Sequence, residues 1–261
     1  MFSSYFSVED CRALTSPVHG DVQGVYDKFQ ELQRSLYRRM RDHSWDIHPH
    51  WNRGETISDY SLACAGQFNG LAMPFTRSRE QAVLVERLMG RDSFGALGQV
   101  DIHRHPVIEL RLTEQHFAAE LIVCSNSWLD QQNLIGKLEV PRQRQQLRSL
   151  IQSLPGDTVI GFWKGVEIDD MHLTAAQLSR GSVMEQWIGT FEDGHDYLRI
   201  GAWYQPQDAS LSVSNILSEL SRRVSSLYNV YNFLRWTSNN DFRTFYRKGA
   251  STYNSRDMRL S

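Results

Sequence analysis

Residues 106–124 read Pro-Val-Ile-Glu-Leu-Arg-Leu-Thr-Glu-Gln-His-Phe-Ala-Ala-Glu-Leu-Ile-Val-Cys. Ile108, Leu110 and Leu112 alternate with Glu109 and Arg111. Phe117, Ala119, Leu121 and Val123 then alternate with Ala118, Glu120, Ile122 and Cys124. A two-residue period is the mark of a strand with one buried face and one partly wet face. Thr113-Glu114-Gln115 between the runs has hairpin length. The expectation is a β-hairpin whose outer face carries Glu109, Arg111 and Glu120 as a ladder of opposite charges across the strands.

Outward from the hairpin, helical spacing dominates. Trp128 to Leu154 reads as two helices, the second opened by Pro141 at its first turn with Leu147, Leu150, Ile151 and Leu154 inward. Upstream, Asp21 opens a helix running to about Asp42. Its apolar stripe is Val22, Val25, Tyr26, Phe29, Leu32, Leu36 and Met40, and its last turns carry Arg34, Arg38, Arg39 and Arg41. Ile57 to Ala65 is expected as a strand, Gln67 to Thr76 as a loop, and Ser78 as the cap of a helix ending at Gly90. Downstream, strands are expected at about 158–164 and 197–204, and the longest helix from Leu211 to Trp236. Ile200-Gly201-Ala202-Trp203 echoes Ile160-Gly161-Phe162-Trp163, with glycines placed where another group approaches the backbone closely.

Strands and helices are mixed without a βαβ rhythm. This implies a single α+β domain over 1–248, a mixed or antiparallel sheet packed by several helices, and a flexible tail over 249–261. The composition suits a real core, with 41% hydrophobic and 22% charged residues. A formal net charge of −2 argues against a general binder of nucleic acid or membrane surfaces. The three cysteines show neither a disulfide framework nor metal spacing, and no signal peptide or membrane span is evident; a cytoplasmic protein is expected.

Phosphate-cradling glycine loops, a nucleophile elbow and His-Glu-x-x-His are all missing from the sequence. Asp101 ahead of Glu109-x-Arg111 comes nearest to a nuclease pattern, with Arg in place of Lys. The leading expectation is therefore a protein that binds a partner or small ligand, without a readable catalytic signature. One candidate surface for a partner is the aromatic run from Tyr228 to Tyr246, with Trp236 and Phe242.

Two alternatives rest on specific residues. His48-Pro49-His50 and His103-Arg104-His105 would each present two imidazoles to one side of an extended chain. With Asp169, Asp170 and His172, they would hold a divalent metal such as zinc and activate water for hydrolysis, provided the loops converge. The other alternative is nucleic-acid binding through segment 34–53, where Arg38, Arg41 and Arg53 accompany Trp45 and Trp51 as a stacking platform.

Overall fold

A computed structural model describes residues 3–15, 21–49, 56–90 and 100–244. Two expected features, the 249–261 tail and the His50–Trp51–Arg53 stretch, lie outside the described residues.

The hairpin forms as expected. β4 (Val107–Thr113) and β5 (Phe117–Val123) pair antiparallel with Leu112 opposite Phe117. Six further strands complete the sheet: β1 (His48–Pro49), β2 (Ser58–Ser61), β3 (Gly66–Thr76), β6 (Val159–Phe162), β7 (His172–Thr174) and β8 (Leu198–Tyr204). Their order is β1-β3-β4-β5-β8-β6-β7, with β2 pairing β3, and every pairing is antiparallel. The α+β reading therefore holds, and the sheet is antiparallel rather than mixed. The two echoing tetrapeptides are neighbours in it: Ile160 is the register partner of Ile200.

Some expectations fail, among them the helix expected as the longest over 211–236, which starts only at Ile216 and is shorter than the helix Val22–Asp42. Residues 67–76 are not a loop but the greater part of the longest strand, β3. Gly70, Asn69 and Pro74 gave a turn signal, yet Leu71, Met73 and Phe75 alternate onto the core face, and burying them outweighs the local preferences. The expected strand 57–65 shrinks to β2 and a turn in which Ala65 has φ 54°.

The helices are α1 (Val8–Ala13), α2 (Val22–Asp42), α3 (Arg79–Leu88), α4 (Trp128–Leu138), α5 (Pro141–Ser153), α6 (Ala175–Leu178), α7 (Val183–Ile188) and α8 (Ile216–Leu234). Ser7 and Asp10 close a capping box on α1, and the Asp21 and Ser78 side chains accept N-terminal amides of α2 and α3. α2, α5 and α8 pack on one face of the sheet, with α8 against both neighbours. Phe29, Leu36, Leu110, Leu121, Ile200 and Leu227 belong to this main core, each buried side chain contributing ~1.5–3 kcal/mol. Among the described residues the other face carries no such helical layer. Leu62, Ala63 and Val166, from two loops, cover it. No helix among the described residues is long and apolar enough to cross a membrane.

Candidate functional site

The loop-covered face is where the alternate residues of the hairpin point, and it is not wet. Glu109, Arg111, Glu120 and Arg199 are all 0% exposed there. The ladder also differs from its expected form. Glu109 lies directly opposite Glu120, a like-charge pair, while Arg111 faces Ala118. The guanidinium of Arg111 resolves this repulsion, reaching Glu109 at 3.0 Å and Glu120 at 2.5 Å. Arg199, from β8, donates to Glu120 through Nε at 2.8 Å and through a second nitrogen. Two carboxylates and two guanidiniums thus form a neutral chain across three strands. Burial opposes the charge on Arg111, but Glu120 and Glu109 more than offset it and raise its pKa.

The chain also pins its covering loops. Glu109 accepts from Ser61 Oγ at 2.6 Å and from the Leu62 amide at 2.8 Å. Three successive carbonyls of the other loop are captured: Gly165 by Arg199 (2.8 Å), Val166 by Arg111 (2.8 Å) and Glu167 by Trp163 Nε1 (2.9 Å). The Arg199 guanidinium lies 4.9 Å from the centre of the Trp163 ring. At the end of this row His116 is buried, with Nδ1 3.6 Å from Glu167. Desolvation first, then the nearby Arg111 charge, push the imidazole pKa down to about 4, so it is neutral at pH 7. Because both carboxylates are spent on guanidiniums and amides, this network acts as a clamp on two loops. The nuclease-like reading of Asp101 with Glu109 finds no support in it: Asp101 caps the short turn at residues 102–104.

The candidate metal ligands among the described residues are not brought together. His48 sits on β1 at one edge of the sheet, bonded to Tyr37 (3.0 Å) and 3.3 Å from Asp46. His172 lies on β7 at the opposite edge, six strand positions away, on the order of 25–30 Å. His103 and His105 diverge because residues 102–104 form a 3₁₀ turn rather than extended chain. His103 meets the Tyr60 hydroxyl, and His105 is fully buried 3.4 Å from Glu86, its pKa lowered chiefly by burial. Asp169 is engaged locally, accepting from the Met171 amide at 2.8 Å, and its carbonyl is 2.6 Å from His172 Nδ1; Asp170 is exposed. Among the described residues no group of three His, Cys, Asp or Glu side chains could hold a metal ion.

In the basic segment the aromatic part and the cationic part separate. Trp45 is stacked on Tyr228 (centroids 4.7 Å, 14°) and His43 (5.2 Å, 20°), so its ring is already engaged by two neighbours of the same chain. The Tyr228 hydroxyl also accepts from the Asp46 amide, while Tyr231 and Trp236 are buried, so core packing uses most of the aromatic run proposed as a partner surface. The arginines are different. Arg34, Arg38, Arg39 and Arg41 are exposed on α2, and none makes an ion pair among the described residues. Arg39 donates to Ser221 of α8 at 3.1 Å, which joins the solvent faces of the two helices.

α5, on the other flank of α8, adds exposed Arg142 and Arg144, likewise without ion pairs. The sequence carried the signal for these two: Pro141 to Ser153 has three arginines and no acidic residue. Between the flanks, α8 shows solvent Ser218, Arg222, Ser225, Ser226 and Asn229; its one acidic residue, Glu219, is bonded to Arg222, Arg223 and Tyr204. α2 has five basic residues against three acidic, α5 three against none and α8 two against one. That excess of six sits in a chain whose formal net charge is −2. No protein-family model matches the chain, and no curated protein is significantly similar to it.

Proposed function

We propose that the protein binds the phosphate backbone of nucleic acid across the solvent face of α2, α8 and α5. The observation that carries this reading is the segregation of unpaired arginines onto one helical layer, against an opposite sign on the rest of the chain. Net charge alone argued against it; the distribution of charge argues for it. Arginine suits the task because its planar fork bonds phosphate oxygens bidentately. The serines and asparagine of α8 add the neutral donors that accompany arginine at backbone contacts. With Trp45 already engaged, these contacts are to phosphates and independent of base sequence.

The test is fluorescence anisotropy with labelled single-stranded and duplex oligonucleotides at about 50 mM and 200 mM salt. Binding should weaken steeply with salt. The triple variant Arg38→Ala/Arg39→Ala/Arg41→Ala should reduce the slope of log K against log salt by about 2–3. Arg142→Ala/Arg144→Ala should lower it further. Absence of binding at the lower salt, or a triple variant that folds and binds like the parent, defeats the proposal.

A further inference from the structure

One ring of the basic segment stays with the arginines: His43, which follows the last residue of α2. The chain reverses tightly there. The Ser44 amide returns to the Arg41 carbonyl at 2.8 Å and the Trp45 amide to the Met40 carbonyl at 3.1 Å, with Ser44 itself at φ 55°. Such a closure through a left-handed residue is usually built on glycine or asparagine. A serine in that conformation carries backbone strain. Its effect is to fold residue 45 back against residue 43, so that the Trp45 and His43 rings stack at 5.2 Å and 20°.

The stack continues inward from this pair. Trp45 lies on Tyr228 at 4.7 Å and 14°, and Tyr228 on Tyr231 at 5.9 Å and 25°. Four rings thus form a ladder that starts in the core, where Tyr231 is fully buried, and ends at the surface, where His43 is exposed. The inner rungs are fixed. The Tyr228 hydroxyl accepts from the Asp46 amide at 3.0 Å, and Arg235 pairs with the Asp46 carboxylate at 2.7 Å while lying 5.4 Å from the centre of the Tyr231 ring. A ring held in this way loses little freedom when a flat group settles on it. Among the described residues Trp45 is the only ring neighbour of His43. Arg39 precedes His43 by about one helical turn, ~6 Å along the axis, and Arg41 by half of that.

We propose that His43 is the stacking platform for one unpaired base of a single-stranded nucleic acid, whose neighbouring phosphates lie on Arg38, Arg39 and Arg41. The platform rests on the phosphate-binding reading above and adds the kind of strand the site takes. Imidazole is among the side chains on which splayed bases stack. The arginines stand within about one helical turn of it, the scale on which a nucleotide carries its base and its phosphate. Every base has a flat face, so the contact adds affinity without adding sequence preference. Inside a duplex the bases are stacked on one another and offer no free face. A blunt duplex therefore makes the phosphate contacts alone.

The test uses the full chain at about 50 mM salt with three labelled probes: a short oligothymidylate, an abasic strand of the same length and a blunt duplex. The oligothymidylate should bind about tenfold tighter than the abasic strand, which carries the same phosphates without bases. His43→Ala should remove that difference and leave the abasic strand and the duplex bound as by the parent. His43→Phe keeps a ring without a charge and should retain the preference. Unchanged far-ultraviolet dichroism shows that both variants fold. Equal affinity for oligothymidylate and abasic strand, or a preference that survives His43→Ala, overturns the platform and leaves the phosphate-binding reading standing. Loss of the preference in His43→Phe as well assigns the effect to charge and overturns stacking. Failure of all three probes to bind overturns both readings together.

Discussion

Replacing Glu120 by Gln removes one negative charge from the buried chain and leaves the shape almost unchanged. Both Arg111 and Arg199 then share Glu109 alone, and Arg199 has no direct contact with it. One uncompensated guanidinium remains in a fully desolvated site. Breaking a buried pair from one side costs about 3–5 kcal/mol. Against a domain stability of roughly 5–15 kcal/mol this is a large share. It corresponds to a fall in Tm of roughly 6–20 °C for a chain of this size.

The double variant Glu120→Met/Arg199→Met removes both charges and keeps Glu109 with Arg111 as a matched pair. It forfeits the Arg199 bond to the Gly165 carbonyl, worth about 1 kcal/mol, and the contact with Trp163. The double variant should therefore be more stable than Glu120→Gln, by at least about 1 kcal/mol. Equilibrium unfolding in urea, with the slope m unchanged, reads both values. A single variant that loses less than about 1 kcal/mol, or a double variant no better than the single one, refutes the view that charge balance governs this site.

Two further expectations follow from burial. His116 has a folded pKa of about 4 against an ordinary value of 6.5, so the unfolded chain binds the proton more readily. Stability from this group is complete above the ordinary value and is lost as the pH falls towards 4. Between pH 7 and pH 5 the loss should be about 2 kcal/mol, and urea midpoints at both pH values should show His116→Gln losing less. At Gly201, a Cβ would lie 2.5 Å from the Ala119 carbonyl oxygen and 2.8 Å from Glu120 Cα, both backbone. Gly201→Ala should cost about 2 kcal/mol, whereas Gly66→Ala, with nothing within 4 Å, should be neutral or slightly stabilising in thermal melts.

Local pattern carried the hairpin, the long helices and the caps of α2 and α3, because each rests on neighbours within four residues. Non-local packing decided what was misread. Glu109, Arg111 and Glu120 were correctly put on one face, but residues 61–66 and 163–167 bury that face, and Arg199 completes its charge balance from 79 residues away. Ser127 and Asp130 have capping spacing, yet Ser127 bonds the His103 carbonyl and Asp130 bonds Arg77 at 2.5 Å. Their partners come from other elements. Trp45 looked like a platform because Tyr228, which covers it, lies far along the chain. The unpaired arginines of α2 were visible from the start. Their alignment with α5 required α8 to lie between them.

The separation of Glu120 from Arg199 also orders the assembly of the sheet in time. A β4–β5 hairpin formed alone holds Glu109, Arg111 and Glu120, two negative charges against one positive, with the carboxylates facing each other across the pair. It can be wetted in that state but not buried. Arrival of β8 supplies the missing cation and the next seven-residue rung of the ladder together. The Gly165 carbonyl finds its donor, Arg199, only then, whereas the Val166 carbonyl draws on Arg111 of the hairpin itself. A chain growing from its N-terminus thus makes the centre of its sheet early and can dry the loop-covered face only late. Non-local closures of this kind slow folding, and the half-built sheet is the species in which the interior of this protein stays open to water.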